Sequence, residues 1–223
     1  MSTKIIYFVR HGQTILNAKG IRQGAEGSLT DKGREQALIT AKKFPKHKGK
    51  PQVMLVSPFQ RTLETADIIS KELDISHIKV VDLLKERRNP SEIIGHSRDE
   101  IAVRRIVDRI DNGFHDDDLR YSDEENFTDL RDRAKKLLRY LSHRHEQRII
   151  AVTHSIFLKM IACYVLLGKK LTASEYNKLS YLNPIENAGL TIMTCTTRFL
   201  RRPVWKLLVW NDIPQPNYTE EEQ

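Results

Sequence analysis

"KIIYFVRHGQT", residues 4 to 14, opens as a run of apolar residues and stops abruptly on Arg10, His11 and Gly12. A continuously apolar run without alternation is the pattern of a strand covered on both faces. A strand entering a core has little use for two side chains that carry, or can take up, positive charge. A site that holds an anion uses both.

Further along, "VMLVS" (53–57), "KVVDLL" (79–84) and "RIIAVT" (148–153) have the same character, and "GLTIMTC" (189–195) and "WKLLVW" (205–210) add two more strands. Helical patterns lie between them. In "LTDKGREQALITAKKF", Thr30 is placed to cap and Ala37, Leu38, Ala41 and Phe44 share a face. "SPFQRTLETADIISKEL" carries Ser57 and Pro58 at an expected helix start, with Ala66, Ile69 and Leu73 at helical spacing. "FTDLRDRAKKLLRYL" puts Leu130, Ala134, Leu137, Leu138 and Leu141 on one stripe. "SIFLKMIACYVLLG" is apolar nearly all round, hence a buried helix, and Gly168 ends it.

Strand alternating with helix predicts an α/β three-layer sandwich, with a mostly parallel central sheet of about six strands flanked by helices. Ligands in such sheets sit beyond the C-terminal strand ends. Residues 87–123 interrupt the alternation. They hold one helical pattern, "SRDEIAVRRIVDRIDNG", with Ser97 and Glu100 as a capping box and Asn112-Gly113 as a stop. We therefore expect one domain over 1–213 with a helical cap inserted at about 87–123. The polar tail 214–223, "PQPNYTEEEQ", is expected to be disordered.

Bulk properties exclude several classes. The 223 residues suit one domain with a substantial core. With 39% hydrophobic and 30% charged residues, the chain reads as globular and soluble. No apolar run approaches the roughly 20 residues of a membrane span, and no membrane partner is expected. "MSTKIIYFVRHG" lacks a cleavage site, so the expected location is cytoplasmic, with Cys163 and Cys195 as reduced thiols. The net charge of +8 favours anionic partners. Its cations are scattered and not interleaved with aromatics, which argues against specific nucleic-acid binding. Oligomeric state is not readable.

The strand ends gather the chemistry. Arg10 and His11 end the first strand, Arg61 lies in the first turn after the second, Glu86 lies just past the third, and His154 ends the fourth before a helix starting at Ser155. Polar groups are costly to bury without a shared partner. A phosphoryl group is such a partner. Two arginines grip it bidentately, and the helix beginning at Ser155 offers N–H groups. A histidine kept neutral by neighbouring cations can attack phosphorus. A second, protonated histidine can stabilise the equatorial oxygens. A carboxylic acid can protonate the leaving alkoxide and then deprotonate water, worth roughly 10²–10⁴-fold. This chemistry calls for no metal and no cofactor, only a small phosphorylated substrate and inorganic phosphate as product.

"VRHGQTILN", "SLTDKGREQA", "SPFQRTLETA" and "VTHS", in this order, resemble the histidine phosphatase superfamily, the phosphoglycerate mutase-like proteins. "NAGLTIM" and "WKLLVWND" resemble its closing strands, and the likeness covers about residues 4–212 outside 87–123. The resemblance implies His11 as nucleophile. It implies Arg10, Arg61 and His154 as ligands of the transferred group, with Asn17 on a phosphate oxygen, Thr14 in the same loop and Glu86 as proton donor. Glu92 is an alternative donor. "ERRNPSE" lacks the mutase arrangement of Arg, Tyr and Gly around the acid, which favours a phosphatase over a mutase. A catalytically inactive phospho-ligand binding module is the remaining reading, although the chain keeps every candidate catalytic residue. Thr30, Gly33 and Ala37 are read as a helix cap and close packing, and Glu124 and Glu125 as charges complementing a helix dipole. Arg104, Arg105 and Arg109 are read as a solvated face.

Overall fold

The computed structural model describes residues 1–45, 49–112, 116–182 and 184–214. Its strands are β1 Ser2–Arg10, β2 Val53–Val56, β3 Ile78–Val80, β4 Arg148–Thr153, β5 Leu190–Thr197 and β6 Val204–Asp212. They form one sheet in the order β3-β2-β4-β1-β5-β6. β3, β2, β4 and β1 are mutually parallel, and β5 and β6 are antiparallel. All six apolar runs thus become strands. The helices are α1 Ile15–Ala18, α2 Asp31–Lys42, α3 Gln60–Leu73, α4 Ile101–Asn112, α5 Phe127–His143, α6 Ser155–Leu167 and α7 Ala173–Leu182.

The absence of alternation in the central strands follows from having two cores. β1 turns Ile6 and Phe8 to one face and Tyr7 and Val9 to the other. β4 divides Ile149 and Ala151 from Ile150 and Val152 in the same way. α2 and α3 cover one face with Ala41, Phe44, Ala66, Ile69 and Leu73. α5, α6 and α7 cover the other with Leu130, Leu137, Leu141, Phe157, Ile161 and Tyr176. The expected stripe of α5 is buried as a whole. Each such leucine contributes roughly 1.5–3 kcal/mol by leaving water.

Four local expectations change. "KVVDLL" is strand only to Val80, then one 3-10 turn, Asp82–Leu84. β3 is a sheet edge, its three residues are exposed, and apolar content there does not extend the ladder. Ser57 and Pro58 do not open α3, which begins at Gln60 after the extended N-cap Phe59. The capping box of α4 is half formed. Glu100 accepts from the Ser97 N–H (2.7 Å), but the Ser97 hydroxyl accepts from Asp99, and the helix starts at Ile101. Glu124 and Glu125 do not serve the α5 dipole. Glu124 accepts from the N–H groups of Tyr121 (2.6 Å) and Ser122 (2.7 Å), Glu125 pairs with Arg133, and Asn126 with Asp129 forms the capping box instead. Gly113 and the tail beyond residue 214 lie outside the described residues.

Candidate active site

β1 delivers Arg10 and His11 to its C-terminal end, and three contacts fix the His11 backbone there. Its N–H donates to Thr153 (3.0 Å), while its carbonyl accepts from Ala188 (3.1 Å) and the Asn187 side chain (3.1 Å). The loop that follows is held by backbone packing. A Cβ on Gly12 would stand 2.3 Å from the Gly33 carbonyl oxygen, and one on Gly33 2.1 Å from that of Gln13. Thr30 caps α2 by accepting from the Gly33 N–H (3.0 Å). The structural reading of "LTDKG" therefore holds: it is the shelf on which the His11 loop rests.

His11 is 3% exposed. Its Nδ1 lies 2.8 Å from the Gly12 carbonyl oxygen, which can only accept, so Nδ1 carries the proton and Nε2 the lone pair. Burial first, then the Arg10 and Arg61 guanidinium groups, hold its pKa well below the ordinary histidine value. The ring is neutral and its free nitrogen nucleophilic.

Arg61, 1% exposed, comes from the first turn of α3. Its Nη1 donates to Gly24 (2.8 Å) and Glu26 (3.3 Å), and its plane stacks on Phe59. Burial lowers its pKa to about 10, which leaves it charged at neutral pH. Arg10 donates to the Ile185 carbonyl through Nη1, whereas its Nε is buried without a partner among the described residues. The side-chain oxygen of Asn17, on α1, is likewise buried and unpartnered among the described residues.

His154 ends β4 and is fully buried, its ring centroid 5.3 Å from that of His11. Arg61 Nε donates to its Nδ1 (3.3 Å), so the ring proton sits on Nε2 and donates to Ser57 Oγ (2.8 Å). Burial, then Arg61, push its pKa well below the ordinary value. This corrects the expectation of a protonated second histidine: burial favours the neutral ring, whose Nδ1 accepts from Arg61 and whose Nε2 donates to Ser57. Ser57, expected to open a helix, is its acceptor.

Glu86 lies past the 3-10 turn with its carboxylate at the start of α6. It accepts from the N–H groups of Ile156 (3.1 Å), Phe157 (2.9 Å) and Arg87 (2.8 Å). Two helix N–H groups expected to serve a phosphate are thus held by Glu86, and Ser155 lines the cavity. Glu92, the alternative donor, is absent from that lining and sits exposed in a 3-10 turn. Thr14 is a correction too. Its hydroxyl caps α1 by accepting from Asn17 (3.0 Å) and donates to Gln23 (3.0 Å), so it serves the loop and does not line the cavity.

A cavity of about 350 Å³ lies over His11, bordered by Arg10, Asn17, Arg61, Glu86 and Ser155. Sequence reasoning missed most of its rim: Arg22, Asn89, Lys159 and Glu186 join Arg98 of the inserted segment. No strand end announces these positions. Backbone pairing of residues 20–22 with 95–98 brings Arg22 and Arg98 together.

The model of the histidine phosphatase superfamily (branch 1) matches residues 6–212. The metal-independent phosphoserine phosphatase of Arabidopsis thaliana is 29% identical over 211 residues, covering 93% of this chain and 81% of that protein. A 2,3-bisphosphoglycerate-dependent phosphoglycerate mutase of Bartonella henselae is 28% identical over 100 residues, 44% of this chain and 48% of its own length. Among solved structures, a mycobacterial glucosyl-3-phosphoglycerate phosphatase superposes with a TM-score of 0.74 at 22% identity, covering 94% of this chain and 99% of that one.

Proposed function

This chain belongs to the histidine phosphatase superfamily and is a phosphatase-like hydrolase, and from that premise we propose that it is a metal-independent phosphomonoesterase working through a phosphohistidine on His11. The observation that carries the reading is the neutral, Nε2-free His11 set between two buried guanidinium groups. Arg10, Arg61 and Asn17 hold the phosphoryl oxygens. The unpartnered Arg10 Nε, a donor, supports this assignment, since buried polar atoms are rarely left unpaired. Asn17 lines the cavity, where its amide nitrogen can donate an N–H to a phosphoryl oxygen.

In the first step the His11 Nε2–P bond forms as the ester P–O bond breaks, and Glu86 passes a proton to the leaving oxygen. In the second, water attacks phosphorus, Glu86 takes the proton, and the P–N bond breaks to release inorganic phosphate. His154 keeps Arg61 aimed at the equatorial oxygens. The rim cations Arg22, Arg98 and Lys159 favour a small substrate with a further negative group, such as a phosphorylated acid. A phosphoserine phosphatase among the relatives is consistent with that class.

The test is phosphate release from a panel of phosphomonoesters, with and without a chelator, by wild type and His11→Ala. We expect chelator-resistant release that the substitution abolishes, and an acid-labile label on His11 after quench. Isomerisation of phosphoglycerate with little net release would instead establish a mutase. Ligand binding without turnover would leave a phospho-ligand binding module.

A further inference from the structure

Arg133 lies half-buried on α5, beside an inward stripe that is mostly leucine and alanine. A guanidinium placed there needs full pairing to offset its lost hydration. It is paired on every side. Nε and Nη2 grip the two oxygens of Glu125 at 2.7 Å each, a bidentate ion pair. Nη1 donates to the carbonyls of Leu83 (3.0 Å) and Lys85 (2.7 Å), and Nη2 also to that of Glu86 (3.3 Å). Its plane covers the Phe157 ring at 3.9 Å. Phe157 in turn donates its N–H to the Glu86 carboxylate.

One side chain therefore touches both things that locate Glu86: the main chain that carries it and the helix turn that receives it. Glu125 completes the clamp. Its N–H donates to the Arg88 carbonyl, and its carboxylate accepts the Arg88 N–H. Arg133 does not line the cavity over His11, but it borders the adjoining one of about 500 Å³ that shares Arg61 and Glu86 with it.

We propose that Arg133, braced by Glu125, is a positioning residue for proton transfer by Glu86. The inference rests on Glu86 being the acid. As the His11 Nε2–P bond forms and the ester P–O bond breaks, the Glu86 proton must reach the leaving oxygen within hydrogen-bond distance. A clamp on the carbonyls of Leu83, Lys85 and Glu86 sets that distance. Without it, Glu86 remains present but is placed less well.

Leaving-group dependence isolates this role. A p-nitrophenolate departs without a proton, whereas the alkoxide of glycerol phosphate needs one. The readout is the ratio of kcat/KM for p-nitrophenyl phosphate to that for glycerol phosphate. Glu86→Gln sets the ceiling for losing the acid. Arg133→Met is expected to raise the ratio about tenfold, a fraction of the roughly 10²–10⁴-fold that general acid catalysis supplies. Arg133→Lys and Glu125→Gln should raise it less, in the same direction. Arg133→Lys keeps charge and length, so it carries the test if the methionine variant does not fold. If Glu86→Gln raises the ratio but the Arg133 variants slow both esters equally, or neither, Arg133 is only a strut and the positioning role is overturned. If Glu86→Gln itself leaves the ratio unchanged, the assignment of the acid falls, and this inference with it.

Discussion

The charged groups beneath the cavity arrive from regular elements, whereas those around its rim, Lys159 on α6 apart, arrive from segments with little regular structure. Arg10, His11 and His154 follow directly on β1 and β4, Arg61 sits in the first turn of α3, and each is fixed by main-chain or buried side-chain bonds. Arg22 and Arg98 come from loops, and the Nε atom of Arg22 is buried without a partner among the described residues. The floor is set in advance by backbone order and suits a step common to many phosphoesters. The segments that carry Arg22 and Arg98 are joined through main-chain bonds, so these two side chains can differ without disturbing the floor. Reaction type should belong to the first region and substrate choice to the second.

The largest effect should come from the floor. His11→Ala is expected to lower phosphate release by about 10⁴-fold or more on every ester, because the proposed nucleophile is lost and not a contact. A substrate-dependent loss would break the division of labour. Next, Gly33→Ala should destabilise the fold by about 3 kcal/mol or more in a denaturant titration, since the added methyl meets backbone and not a movable side chain. Retained stability would show that the shelf under His11 yields.

At the rim, Arg22→Gln and Arg98→Gln should each reduce kcat/KM for 3-phosphoglycerate relative to glycerol phosphate, by about tenfold, through loss of attraction for the second anion. Equal losses on both esters would move these residues to the floor.

The pH dependence belongs to the floor again. His11 and His154 both have pKa values lowered by burial and neighbouring cations. Below the ordinary value of 6.5 the unfolded chain takes up protons that the folded chain refuses. Stability should therefore fall as pH drops through that region, by up to about 1.4 kcal/mol per pH unit for each histidine. Unfolding free energies at pH 7.5 and 5.5 measure this, and His154→Asn should flatten the slope. The acid limb of kcat/KM should likewise lie below 6.5. The smallest effect is expected on the outer face of α4, where Arg105 is exposed. Arg105→Gln should change stability by less than about 0.5 kcal/mol and leave both ester activities alike.

Legibility in the sequence follows the same division. β1, β2 and β4 read clearly because both their faces are buried, and an unbroken apolar run of that length fits little besides a covered strand. The motif residues at their ends are placed with them. β3 reads too long, since an edge strand of three residues has no burial signal to mark its stop. The start of α3 reads too early because Ser57 looks like a cap, whereas its hydroxyl accepts from His154, a contact across 97 residues. The neutral state of His154 is hidden for the same reason. The rim is invisible: Arg22 and Arg98 become neighbours only through backbone pairing between 20–22 and 95–98.

That pairing has a consequence for how the molecule can vary. Ile21 bridges Ser97, Arg22 donates to His96 and accepts from Gly95, and Arg98 donates to Gly20, so the stitching is wholly main-chain. Apart from Gly20 and Gly95, whose φ angles of +69° and +86° favour glycine, side chains along it can change without touching the stitching. New specificities can be tried there one residue at a time, while the distance from Asn17 to the far lip of the mouth stays the same.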